Sequence, residues 1–104
     1  YSSGPANRMF YFLAKGSSAT TTSDYYSKYL TRAPKAMVGI GNDKAYRIWF
    51  RALSTKLTSS ANYSATQKAC VQAATELYGA SSKEVIAVKR AFAAINVGAD
   101  VTGG

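Results

Sequence analysis

Helix punctuation constrains this chain more than any other feature. Ser2 and Ser3 stand as candidate N-caps, Pro5 in a first turn and Gly16 at a stop. Gly41 or Asn42 opens a second segment, with Asp43 placed where the helix dipole favours an anion. Ser64 with Gln67, and Ser81 with Glu84, have capping-box spacing, and Gly79 and residues 96–98 supply the matching stops. The spacing predicts four helices: Pro5 to about Lys15, about Asn42 to Leu57, Ser64 to Tyr78, and Ser81 to about Ile95. No stretch alternates as a strand should and no repeat is present. The fold class is therefore all-α, a compact bundle of four to five helices. At 104 residues and 47% hydrophobic content the chain suits one domain. That domain is placed at residues 1–98, with a long loop at about 17–36 and a tail, residues 99–104, expected to be flexible.

The apolar positions say which faces should meet. Met9 to Leu13 is apolar all round, which suits a helix at the centre of a structure. Ala6, Met9, Phe10 and Leu13 form one stripe, leaving Tyr11 and Phe12 for a second partner. A domain this short covers only part of that circumference, so some surface around Tyr11 and Phe12 is expected outside. In the second helix the inward set is Ala45, Ile48 or Trp49, Ala52 or Leu53, and Lys56 or Leu57. In the third it is Ala69 or Cys70, Ala73 or Ala74, and Leu77. In the fourth it is Val85, Val88, Phe92 and Ile95. Trp49, Phe50, Leu53, Phe92 and Ile95 are expected in the central core. The loop reads as polar over residues 16–23, a short helical or extended piece around Tyr25 to Leu30, and a turn near Pro34. Tyr25, Tyr26 and Tyr29 are read as packing the loop onto the helices rather than as a base-stacking platform beside Lys28 and Arg32.

Thirteen Lys and Arg against five Asp and Glu give a net charge of +8, which suits a polyanion, an acidic surface or an acidic partner domain without choosing among them. Lys44, Arg47 and Arg51 recur at helical spacing as a basic ridge, read as a solvated face. With Lys89 and Arg90 the ridge carries the alternative reading, a free-standing basic helical module that binds nucleic acid or an anionic surface. The chain has no histidine. That removes Ser–His and Cys–His nucleophile arrangements and zinc sites of ordinary ligand type. One cysteine makes neither an internal disulfide nor a thiolate metal site, so Cys70 reads as a small buried hydrophobe. No catalytic residue and no metal site is assigned. The Asn62-Tyr63-Ser64 sequon is too short a pattern to carry weight. No apolar run reaches the length of a membrane span.

"SSGPANRMFYFLAKG", "GIGNDKAYRIWFRALSTKLT", "NYSATQKACVQAATELYG" and "SSKEVIAVKRAFAAINVG" follow one another in an order that closely resembles the C-terminal helical domain of the thermolysin-like zinc metalloendopeptidases. The resemblance covers residues 1–98 apart from the loop. It implies the C-terminal lobe of a two-lobed, secreted, extracellular bacterial protease that cuts internal peptide bonds beside bulky apolar residues, with zinc-bound water as nucleophile. This lobe would form one wall of the substrate cleft.

In that family the segment like "YSSG" directly follows a histidine that stabilises the oxyanion. The chain is thus expected to begin one residue after a catalytic group, with Tyr1, Ser2 and Ser3 positioning rather than reacting. The zinc ligands and the general base would lie upstream, so the chain alone should be inactive. The resemblance implies zinc and calcium in the parent enzyme and none bound here. The implied partners are the upstream N-terminal catalytic lobe, a protein or peptide substrate and a propeptide, with no nucleic acid and no membrane.

Overall fold

A computed structural model describes residues 3–55 and 62–103 of the chain. It contains four helices: α1 (Ser3–Lys15), α2 (Asn42–Thr55), α3 (Tyr63–Tyr78) and α4 (Lys83–Ala94). Among the described residues there is no strand, only one isolated antiparallel bridge between Gly16 and Val38. The helices form a ring in which α1 packs on α2 and α4, and α3 packs on the same two from the other side.

Local chemistry fixes the helix ends. At the end of α1, Gly16 has φ of +86°, and a Cβ there would lie 2.6 Å from the Met37 carbonyl oxygen. Only glycine admits that approach. The closeness is useful, because residues 37–41 run back along the end of the helix. The Ile40 and Gly41 N–H groups donate to Leu13 and Ala14 at 2.8 and 2.9 Å, satisfying carbonyls that a helix end leaves open.

The other caps are displaced from their expected positions. Asn62, not Ser64, caps α3, its Oδ1 accepting from Ala65 N–H at 2.8 Å; Ser82, not Ser81, caps α4, its Oγ accepting from Val85 N–H at 3.2 Å. In α4, Glu84 makes no capping box. Its carboxylate is drawn inward to Lys44 instead of reaching back to the cap. Ser2 and the expected stripe positions Lys56 and Leu57 lie outside the described residues.

The core takes Met9, Phe12 and Leu13 from α1, Ala45, Ile48 and Ala52 from α2, four small residues from α3 and Val85, Val88, Ala91 and Phe92 from α4. Leu30 and Met37 enter it from the loop. The most enclosed helix is α4: of residues 84–94 only Ile86 and Lys89 are not buried. Its alanines let α1 and α3 approach from two sides.

Several expected core positions are corrected. Of the α1 surface expected outside, Tyr11 is exposed while Phe12 is fully buried, and Phe50 (62% exposed) and Leu53 (43%), expected in the core, point outward. Trp49 and Ile95 are half-buried, Leu77 is exposed, and Phe92 is buried as expected. The reason on α2 is angular. At about 100° per residue, Ala45, Ile48 and Ala52 share a face that Phe50 and Leu53 turn away from, and the smaller side chains let neighbouring helices come close.

Residues 17–36 contain turns but no helix. Ser27 anchors the loop, its Oγ donating to the Ala94 carbonyl at 2.6 Å. Tyr25 stacks on Tyr11 with ring centroids 4.4 Å apart and planes 14° from parallel.

The segment after α4 is tied to the body. The Asp100 carboxylate accepts from Arg90 Nε at 3.1 Å, Arg90 Nη2 at 3.3 Å and Arg32 N–H at 2.8 Å, and Gly103 N–H donates to the Ala33 carbonyl. Burial of a charged carboxylate against a buried guanidinium holds residues 100–103 where composition alone suggests fraying.

Cys70 sits in the α3 contact, and burial pushes its thiol up to about 12. The expected result is a native thiol silent to an aromatic disulfide reagent at pH 8 and one equivalent released in denaturant. Full reaction of the folded chain within seconds would show that the α3 contact opens.

Candidate functional site

The start of α1 is the part of the described structure nearest to Tyr1, Ser2 and Ser3. Tyr1 and Ser2 lie outside the described residues, and Ser3 opens the helix. What is visible is how the helix is held. Arg8 donates from Nη1 to the Asp24 carbonyl at 2.9 Å and from Nη2 to the Tyr26 carbonyl at 3.0 Å, while its guanidinium lies 4.6 Å from the centroid of the Phe12 ring. One side chain thus fastens α1 to the long loop through two hydrogen bonds and a cation–π contact. One turn on, Met9, Phe12 and Leu13 are buried, each by about 1.5–3 kcal/mol of transfer free energy. These contacts hold α1 from its second turn onward.

Beside the start of α1 lies an open cleft of about 490 Å³, lined by Pro5 and Arg8 from α1, residues 26–29 from the loop, and Ala94 and Ile95 at the end of α4. Its lining offers two cations, the phenol hydroxyls of Tyr26 and Tyr29, the Ser27 hydroxyl already bonded to the Ala94 carbonyl, and apolar surface. Arg8 is engaged with carbonyls, and Lys28 Nζ lies 5.4 Å from the Tyr29 ring. Among the described residues no carboxylate lines the cleft.

The ridge on α2 is neutralised where it stands. Lys44 Nζ donates to Glu84 Oε2 at 2.6 Å, Arg47 pairs with Asp43 at 3.1 Å, and Arg51 pairs with Glu76 at 2.9 Å. The bond from Lys44 holds the Glu84 carboxyl below its ordinary value, and the same bond raises Lys44. Arg47 and Asp43 are both well exposed, so that pair contributes little to stability. Lys89 is half-buried, and Arg90 is buried against Asp100. Three ridge cations facing three carboxylates leave little net charge for a phosphate backbone to read. Sequence spacing found the cations and placed Asp43 one turn before Arg47, but not the pairing with Glu76 and Glu84, which come from α3 and α4.

Among the described residues, no three His, Cys, Asp or Glu side chains come together as a metal site. No described helix is long and apolar enough to cross a membrane.

Residues 1–97 match a family model described as the α-helical domain of the thermolysin metallopeptidases. The transglutaminase-activating metalloprotease of Streptomyces mobaraensis is 38% identical over 104 residues, covering all of this chain and 14% of that protein. Thermolysin of Alicyclobacillus acidocaldarius is 50% identical over 62 residues, 60% of this chain and 11% of the relative. A bacillolysin of Bacillus cereus is 39% identical over 95 residues, 91% of this chain and 14% of the relative. The chain therefore spans about a seventh or less of the length of these relatives.

Proposed function

The chain belongs to the thermolysin metallopeptidase family as its C-terminal α-helical domain, and from that premise we propose that it forms one wall of the substrate cleft of a secreted zinc endopeptidase. The observation that supports this role is the fastening of α1 by Arg8. A helix whose first turns are fixed to the loop and the core suits the task of holding a catalytic group attached just before it. Positioning of this kind supplies part of a barrier without the platform itself reacting.

The donor set of this chain does not fit zinc. It has no histidine, and its one cysteine is buried with a raised thiol. Zinc, the general base and the oxyanion-stabilising histidine belong to the upstream part of the polypeptide in this reading, and so does structural calcium. The upstream catalytic lobe is the partner, with a propeptide during maturation and a peptide substrate in the cleft.

The experiment compares the intact polypeptide with residues 1–104 alone. The intact protein is expected to cleave casein, to lose that activity on chelation and to regain it with zinc. The 104-residue chain is expected to cleave nothing at any zinc concentration, and zinc should leave its melting temperature unchanged, since an ion that does not bind the native state does not stabilise it. Zinc-dependent hydrolysis by the pure fragment, or an intact protein without peptidase activity, would sink the reading.

A further inference from the structure

α4 turns Lys83, Ile86, Ala87 and Arg90 to one side, at i, i+3, i+4 and i+7, and all four line a cavity of about 270 Å³. Pro34, Met37 and Ile40 face them from the loop. Gly103 stands at the Arg90 end, where a Cβ would lie 2.8 Å from Arg90 Nη1. Arg90 is committed through Nε and Nη2 to Asp100 and the Arg32 carbonyl, but Nη1 has no acceptor among the described residues. Every fully buried side-chain nitrogen or oxygen described is bonded, so Nη1 keeps part of the small exposure that this buried side chain retains. Its N–H donors are left open beside the cavity. Two turns away, about 10 Å along the helix, Lys83 is exposed and makes no ion pair among the described residues. Val38, which also lines the cavity, has a backbone N–H and C=O bonded to no described residue. The bond from Ser17 N–H to the Met37 carbonyl flanks the Gly16–Val38 bridge, so these two groups point away from Gly16 as a free strand edge one residue long.

We propose that this cavity binds the C-terminal residue of a peptide, an apolar side chain together with its free carboxylate. The side chain seats between Ile86 and Ala87 on one wall and Met37 and Ile40 on the other, and the carboxylate accepts from Arg90 Nη1. Lys83, at the other end of the cavity, adds attraction for the anion. Charge chooses the sign of the ligand. No Asp or Glu lines the cavity, and the nearest carboxylates are spent, Asp100 on Arg90 and Glu84 on Lys44. Size limits the ligand to about one residue, since the volume lies at the lower end of small-molecule sites. A neutral apolar group would leave Nη1 without an acceptor, and an inorganic anion would leave the apolar walls uncovered. The Val38 edge selects a peptide over a plain hydrocarbon acid, because an extended main chain supplies the N–H and C=O that pair with it. The site goes beyond the proposed function and does not depend on it.

The test titrates N-acetyl-leucine, which has the carboxylate, the apolar side chain and one amide, into the intact protein labelled at its isoleucine and methionine methyl groups. The NMR signals of Met37, Ile40 and Ile86 should shift together along one saturable curve. N-acetyl-leucinamide, which lacks the charge, should bind at least about tenfold more weakly. Lys83→Ala, at an exposed position, should leave the melting temperature unchanged and weaken binding by about threefold or more. Octanoate separates a peptide end from a fatty acid: it should bind more weakly than N-acetyl-leucine, since it offers Val38 nothing. Shifts absent from these three residues, equal binding of acid and amide, unaltered binding in the Lys83 variant, or octanoate as tight as N-acetyl-leucine would each overturn the proposal.

Discussion

Asp100→Ala is expected to destabilise the domain by about 3–5 kcal/mol, the usual cost of stranding one partner of a buried ion pair. Arg90 and Asp100 have side chains 2% and 0% exposed, and they meet through two N–H donors of one guanidinium. Removing the carboxylate leaves a buried cation facing the Arg32 carbonyl alone. It also releases the Arg32 N–H and the segment that Gly103 ties to Ala33. A domain of about 100 residues has roughly 5–15 kcal/mol in all, so the variant sits near the edge of folding. Urea unfolding measures the loss. The double variant Arg90→Met with Asp100→Leu should recover most of it, because an apolar pair of similar volume strands no charge. A loss under about 1 kcal/mol for Asp100→Ala would mean that water reaches the guanidinium.

The same pair sets the acid limit. Burial pushes the Asp100 carboxyl up, but the hydrogen bonds from Arg90, Arg32 N–H and Val101 N–H, with the charge of Arg90, outweigh it and hold the group below its ordinary value. Glu84 is lowered as well, through Lys44. A folded-state value below the unfolded one contributes stability above the unfolded value, about 4, and loses it as pH falls through the folded one. Stability should therefore fall on acidification below about pH 4, and less steeply in the Asp100→Ala variant. Lys44 has the opposite sign. Its raised value contributes fully at neutral pH and is lost only in strong alkali.

Phe92→Ala is the second large effect, expected at about 3–5 kcal/mol from lost transfer free energy and the cavity left behind. Phe92 is 1% exposed on the most enclosed helix, where its neighbours Ala91, Ala93 and Ala94 are too small to close the gap. Calorimetry or urea unfolding of the variant checks this. A loss under about 1 kcal/mol would place the end of α4 outside the cooperative core. The contrast is Phe50. It is as large a side chain, yet within this chain its removal deletes no buried contact of that kind.

Much of this was legible in the residues. Gly16, Gly79 and the turn after Ile95 stop helices because only certain backbone conformations fit there, and that chemistry is local. The ordered run of helical segments marked the family, which the match over residues 1–97 shows. Which side of α2 faces inward was not legible. Ile48 and Trp49, or Ala52 and Leu53, are equally apolar neighbours, and a hydrophobic count ranks the larger ones higher. Contact with α1 and α3 reverses that order, because close helix approach favours alanine.

Capping divided in the same way. A serine three residues before Glu84 satisfies the capping pattern, but Ser82 caps α4, and Glu84 pairs with Lys44 across the bundle. The sequence by itself determined the number, order and approximate limits of the helices, and that the chain offers no histidine as a ligand, since propensity, punctuation and composition are read without any fold. Only the tertiary structure decided which carboxylate meets which cation, that Asp100 pins the segment after α4, and that the uncovered aromatic face belongs to α2. Those depend on distances between residues 10 to 68 positions apart, and burial and pairing energies act on such distances rather than on position in the chain.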